Sequence, residues 1–170
     1  MMKRLFLTFT ILTLLAKISV SQVEVKRAQA NFIYNFTKFF DWPQSEKSGD
    51  FIIGVLGSRD LSNNLKKVTA GKKNVTQNIV VKYFNKPEEV TKCHVIFVDA
   101  LKARAVPTVH NQTGVHCLII SDSGTAIKNG AAIQFVLQGE RLMYEFSKGN
   151  ALKHGLKFHS KVSEMATVSH

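Results

Sequence analysis

The sequence predicts an α/β domain: a mostly parallel central sheet flanked by helices, a Rossmann-like sandwich, with a C-terminal antiparallel hairpin and a final helix. Three observations predict it. Short apolar runs of strand length alternate with stretches of helical period from residue 23 to about residue 122. The runs lack the polar alternation of a half-exposed strand, so they read as strands buried on both faces. After Gly124 two apolar runs flank Gln138-Gly139-Glu140-Arg141, which is a hairpin signal. The chain has 170 residues, one domain's worth and enough to bury a core without disulfides or metals. An apolar content of 45% excludes a disordered or collagen-like chain.

The elements follow in order. Met1-Met2-Lys3-Arg4, the apolar run Leu5 to Ala16, and Ser19-Val20-Ser21 have the order of a secretory signal. Residues 1–21 are therefore expected to be a cleaved signal peptide, and 22–170 a single exported domain. Val23 to Trp42 reads as an amphipathic helix carrying Ala28, Phe32, Ile33, Phe36, Phe39 and Phe40, stopped by Pro43. Phe51 to Leu56 is the first buried strand. Ser58 or Asp60 caps a helix with Leu61, Leu65 and Val68, closed by Gly71. Ile79 to Phe84 is the next strand, and Pro87 to Val90 a helical turn. Cys93 to Asp99 and Cys117 to Asp122 are the third and fourth strands, separated by a weak helix, Leu101 to Val109, disturbed by Pro107. Ala132 to Leu137 and Leu142 to Phe146 form the hairpin. Asn150 caps a last helix from Ala151 to about Ala166.

Charge suggests one class of partner and then withdraws it. Lys and Arg number 23 against 12 Asp and Glu, a net excess of eleven. That balance invites nucleic acid or an anionic membrane. Yet 18 of the cations are Lys, only Arg4, Arg27, Arg59, Arg104 and Arg141 supply guanidinium, and no cluster forms. Loss of the signal removes Lys3, Arg4 and Lys17 and leaves an excess of eight. Export parts the chain from the genome, so no nucleic-acid partner is expected. What remains is a basic surface suited to anionic envelope surfaces or to an acidic sensor domain.

Candidate sites are few. Gly57 and Ser58 end a strand before a helix, and Asp99 and Asp122 end two more, at the sheet edge where open α/β folds bind ligands. They are weak ligand candidates, for a nucleotide or an amino acid. The competing reading makes Gly57 a turn glycine and the two Asp residues caps. Phe36, Phe39, Phe40 and Trp42 crowd four large aromatics into seven positions, which suggests core with some members left for a partner-binding patch. Cys93 and Cys117 each open a predicted strand, so neighbouring strands would bring them to one level. A disulfide is the expectation, with packed free thiols as the alternative. His94 and His116 adjoin them, but adjacent strand residues face opposite ways, which disfavours a Cys₂His₂ zinc site. His154 and His159, five apart on the last helix, read as surface. The sequons at Asn35, Asn74 and Asn111 read as chance. Neither G-x-S-x-G nor H-E-x-x-H occurs, and no catalytic residue, metal or cofactor is expected.

A resemblance sharpens the reading. Arg27-Ala28-Gln29-Ala30-Asn31-Phe32-Ile33-Tyr34-Asn35-Phe36-Thr37-Lys38-Phe39, closed by Trp42-Pro43, resembles the opening motif of the YfiR family, DUF4154. Gly54-Val55-Leu56-Gly57, Cys93-His94-Val95-Ile96-Phe97 and Gly155-Leu156-Lys157 follow in the same order as in that family. The resemblance runs from about Val25 to Ala166. It implies a periplasmic, non-enzymatic α/β protein that binds the periplasmic domain of a membrane diguanylate cyclase, or another sensor, and represses it. It also implies a homodimer, and an outer-membrane lipoprotein able to sequester the repressor. In that setting a disulfide between Cys93 and Cys117 would tie repression to redox state.

Overall fold

The first helix sets the frame. In the computed structural model, which describes residues 22–170, α1 spans 22–36. The expected signal peptide, residues 1–21, lies outside the described residues. Ala30, Ile33 and Phe36 recur at helical spacing and face one core. The helix ends six residues earlier than the pattern suggested. Residues 37–39 form a turn, and Phe40–Asp41 becomes a short strand, β1. Thr37 explains part of this stop: its hydroxyl and its N–H both donate to the Tyr34 carbonyl, at 2.7 and 3.2 Å.

The sheet then builds around β2, Phe51–Leu56. The helix α2, Arg59–Thr69, follows, and Gly71 ends the excursion at φ +68°. A two-residue strand, β3, Lys73–Asn74, forms a hairpin with β4, Gln77–Phe84. β5 is Val95–Val98, and a 3₁₀ segment, Ala100–Ala105, leads into α3, Val106–Thr113. Pro107 sits in the first turn of α3, where its missing N–H costs no helical bond, so it starts this helix rather than disturbing one. β6, Leu118–Ser121, and the hairpin β7, Ile133–Gln138, with β8, Arg141–Phe146, complete the sheet.

The order is β3-β4-β2-β5-β6-β7-β8. β4, β2, β5, β6 and β7 run parallel. Only β8 at one edge and the two-residue β3 at the other are antiparallel, so the hairpin contributes one reversed strand, not two. The expected last helix is broken into α4, Lys148–Lys153, β9, Lys157–Phe158, and α5, Lys161–Glu164. Gly155, at φ +68°, makes the break, and it lets β9 pair antiparallel with β1 in a separate two-stranded sheet.

Two apolar clusters fill the faces. One joins α1 and α2 to Phe51, Ile53, Val95, Phe97, Leu118 and Ile120. The other packs Val106 and Val109 of α3 against Ile96, Val98 and Ile119. The alternation along β5 and β6 divides the two faces cleanly, as period two requires. Gly54 of β2 sits where the second face is tightest. A Cβ there would lie 2.8 Å from Cys93 Sγ, 3.1 Å from Phe84 and 3.2 Å from Ile96. Gly54→Ala should therefore cost about 1–3 kcal/mol through overpacking. Cys93→Ala in the same chain should recover part of that loss, which a double-mutant cycle by urea unfolding would read as favourable coupling.

Candidate functional site

The strand-end crevice comes first, because the topology defines it. β4 and β5 flank β2 on opposite sides, so the order reverses at the carboxyl ends of β2 and β5. Gly57, Ser58 and Asp99 meet there. Gly57 adopts φ +90°, and a Cβ on it would lie 3.0 Å from Asp99 Cβ and 3.0 Å from both Cδ and Cε of Lys102. The Lys102 stem thus lies across the turn that would have to cradle a ligand. The Gly57 N–H donates to the Phe84 carbonyl at 3.0 Å. Asp99 Oδ1 accepts the Leu101 N–H at 3.0 Å, so Asp99 acts as the cap of the 3₁₀ segment. Ser58 is buried at the N-cap of α2; its carbonyl accepts the first helical bond, from Ser62 N–H at 3.1 Å, and its hydroxyl makes no capping bond.

Asp122 stands apart from these three. Its Oδ2 accepts from Lys26 Nζ at 3.0 Å and Gln29 Nε2 at 3.1 Å, and its Oδ1 from the Ala100 N–H at 2.8 Å. It ties α1 to the sheet and to the turn after β5. Nothing in the sequence spacing announced Lys26, Gln29 or Lys102 as partners of these residues, because the contacts cross from one element to another.

Three of the four aromatic candidates are core. Phe36, Phe40 and Trp42 are buried, and Phe39 is half-buried against them. Phe36 meets Tyr144 edge-on at 5.0 Å, and Trp42 meets Phe51 edge-on at 4.9 Å. The Trp42 indole N–H donates to the His116 carbonyl at 2.8 Å. They avoid crowding one helical face because the chain leaves the helix after Phe36. An exposed partner patch built of Phe36, Phe40 and Trp42 is thereby ruled out.

The cysteines are free thiols, so the expected bridge is not formed in the structure. Both precede their strands rather than open them. Val95 pairs with Leu118, which sets Cys117 opposite His94 and leaves Cys93 one residue out of step. Both pack in the α3-side core, and Cys93 Sγ donates to the Thr91 carbonyl at 3.2 Å. Burial pushes the Cys93 thiol up to about 12, and burial with the nearby Cys93 raises Cys117 well above its ordinary value.

At the opposite end of the strands the histidines form a floor. His94 stacks on Phe51 at 4.5 Å; its Nδ1 accepts the Ile52 N–H at 2.9 Å, leaving Nε2–H to donate to the Glu46 carbonyl at 3.0 Å. Glu46 pairs with Lys92 at 2.8 Å and stands 3.7 Å from His116 Nδ1. Burial raises the Glu46 carboxyl, but the Lys92 bond and the charges of Lys92, His94 and His116 outweigh it and hold it below the usual range. His154, expected at the surface, is buried and stacks on His110 at 4.6 Å; only His159 of that pair is exposed. Nδ1 of both His110 and His154 lacks a hydrogen-bond partner among the described residues. No group of three or more His, Cys, Asp or Glu positioned to hold a metal occurs among the described residues. No helix among them is long and apolar enough to cross a membrane.

The fold and the crevice define a class: a small α/β domain whose switch-point crevice is occupied by its own side chains. The profile of the YfiR/HmsC-like family, DUF4154, matches residues 26–167. The chain belongs to that family, a periplasmic and regulatory rather than catalytic one. Among solved structures that match is a conserved domain protein from Vibrio cholerae O1 biovar El Tor str. N16961, with a TM-score of 0.52 and 13% identity. The match covers 71% of this chain and 55% of that one, so this chain spans about half of its length; it speaks to fold alone. A search of curated proteins finds no match.

The buried His154 makes an acid-stability prediction. Burial first, and then the charge of His110, lower its pKa from 6.5 to about 4, and a bond to the Cys117 backbone offsets this only in part. The unfolded chain therefore binds the extra proton first. Stability should be flat above about pH 7 and fall between pH 6.5 and 4, with a slope approaching about 1.4 kcal/mol per pH unit from this group. His154→Phe keeps a ring in the stack and should make the urea-unfolding free energy less steep in that window. An unchanged slope would assign the acid sensitivity elsewhere.

Proposed function

We propose that this chain is an exported, periplasmic, non-enzymatic regulator. It binds the periplasmic domain of an inner-membrane signalling protein, a diguanylate cyclase in the simplest case, and holds that protein inactive. The observation that carries this reading is the family match over residues 26–167. The filled crevice supports it: Lys102 lies over Gly57, Asp99 caps its own turn and Asp122 is fully engaged. The surface charge supports it as well, since a Lys-rich exterior steers association with an acidic domain.

The mechanism is a population shift. A repressor that binds the inactive sensor better than the active one lowers output by its differential affinity alone. A hundredfold preference is worth about 2.7 kcal/mol, enough to move an even equilibrium almost wholly to the inactive side. Removal of the repressor, by an outer-membrane lipoprotein that sequesters it, restores output. The reading includes a homodimer as the working unit.

One observation favours a second reading, a small-ligand module. A groove of about 250 Å³ beside Asp122 is lined by Lys26, Gln29, Phe135 and Leu142. Gln29 is buried, its Nε2 is fixed on Asp122, and its Oε1 has no partner among the described residues. Melting-temperature screens with nucleotides and amino acids test this reading, and no shift with any of them removes it.

The principal test is genetic. Deletion of the gene should raise cellular cyclic-di-GMP several-fold, and expression of the full chain with its signal should restore the basal level. Expression of residues 22–170 alone, retained in the cytoplasm, should not. An unaltered cyclic-di-GMP level in the deletion strain would refute repression of a cyclase.

A further inference from the structure

The two edges of the seven-stranded sheet are finished differently. At the β8 edge the segment 167–170 runs alongside. Thr167 N–H donates to the Tyr144 carbonyl at 2.9 Å, Phe146 N–H to Val168 at 2.9 Å, and His170 N–H to Phe146 at 2.8 Å. At the other edge β3 covers only Gln77 and Asn78 of the eight-residue β4. From Ile79 to Tyr83 the outer side of β4 has no strand partner among the described residues. Every second residue of such an edge turns its N–H and C=O outward, a ready template for another strand.

The surroundings of that edge say what it suits. A groove of about 260 Å³ runs between β4 and the carboxyl end of α2. Ile79 and Val81 supply its apolar wall, and Lys66, Lys72 and Lys73 supply its charge; no acidic residue lines it among the described residues. Lys67 and Lys82 add exposed cations on the same two elements. At the hairpin tip Val75 is 84% exposed and held at φ +55°, a conformation that a β-branched residue adopts at a cost. A second copy docked edge to edge would set these lysines against their own images, and like charges placed opposite one another across a strand pair are destabilising. An acidic strand meets the reverse situation.

We propose that the outer edge of β4, Ile79–Tyr83, is a strand-addition site for an extended, acidic segment of a protein partner. The backbone of the segment pairs with β4, and the alternate side chains that it turns to the α2 face carry the carboxylates, which meet Lys66, Lys72 and Lys73 beside Ile79 and Val81. This inference rests on the reading that the chain works by binding a protein, and it adds the surface used and the chemistry of the partner.

The test uses the full domain and a labelled peptide of about eight residues in which Glu alternates with Val or Thr. Binding should be saturable and should weaken about tenfold between about 50 and about 300 mM salt. The outward-facing amides of Ile79 to Tyr83, every second one, should gain hydrogen-exchange protection when the peptide is bound. Lys66→Glu/Lys72→Glu/Lys73→Glu should lose about tenfold or more in affinity, and the corresponding Gln variant an intermediate amount. Both variants change exposed residues, and an unchanged melting temperature confirms that they fold. Saturating peptide without protection at 79–83, or equal binding by the Glu variant, overturns the proposal. Protection that rises with protein concentration alone assigns the edge to a second copy and also overturns it. In cells the two levels separate. If deletion alters cyclic-di-GMP but the Glu variant complements fully, the surface is wrong and the regulatory reading stands. If deletion changes nothing while the peptide result holds, the regulatory reading is wrong and the strand-addition site stands.

Discussion

The burial of Phe36, Phe40 and Trp42 at the end of α1 is the constraint on which the other parts of the domain depend. α1 precedes the sheet in sequence, and α4, β9 and α5 follow it; aromatic packing and the β1–β9 pairing bring them together. Phe36 reaches Phe135 and Tyr144 of the hairpin, and the Tyr144 hydroxyl donates to the Val162 carbonyl at 2.8 Å. Phe40 lies against Phe146 and Phe158, and Trp42 closes on Phe51 of the central strand. Large aromatics bury more area per residue than any other side chains, so three placed in succession join four distant segments at little cost in chain length. The turn that separates them is as important as the rings: a continued helix would have turned Trp42, six positions after Phe36, off the face that Ile33 and Phe36 bury.

That closure has a functional consequence. With the carboxyl-end crevice filled by Lys102 and tied down by Asp99 and Asp122, the usual ligand position of an open α/β sheet has little left to offer. On the proposed reading, recognition moves outward, to the edges and the lysine-bearing surface, where another protein can be met without a crevice to enclose it.

The sheet was legible in the sequence because its signal is local. Phe51–Leu56, Leu118–Ser121 and the β7–β8 hairpin carry runs of apolar residues and turn glycines that need no tertiary partner to be read. The break in the last helix leaves no mark in the sequence, because Gly155 fits a helical pattern as well as it fits a turn. Its left-handed backbone and the approach of His116, whose Cδ2 lies 3.0 Å from where a Cβ would stand, are tertiary facts. β3 went unseen because two residues carry no period. The crevice residues Gly57, Ser58 and Asp99 stand at strand ends in the sequence pattern and in the structure alike, because a strand's end is a local signal. Their occupation by Lys102 was not legible, because a flexible side chain crossing from a neighbouring turn leaves no spacing to detect. The aromatics were legible as core from their size and apolarity, and their division among several partners only from the structure.

The two buried thiols have a consequence of another kind. Burial pushes the Cys93 thiol up to about 12, so it stays protonated at neutral pH while the core is closed. A thiol-specific reagent therefore finds almost nothing to attack until the start of β5 or β6 detaches from α3. The cysteines are a built-in clock: the rate at which they are labelled counts openings of the centre of the sheet, and it does so without any probe being added to the chain.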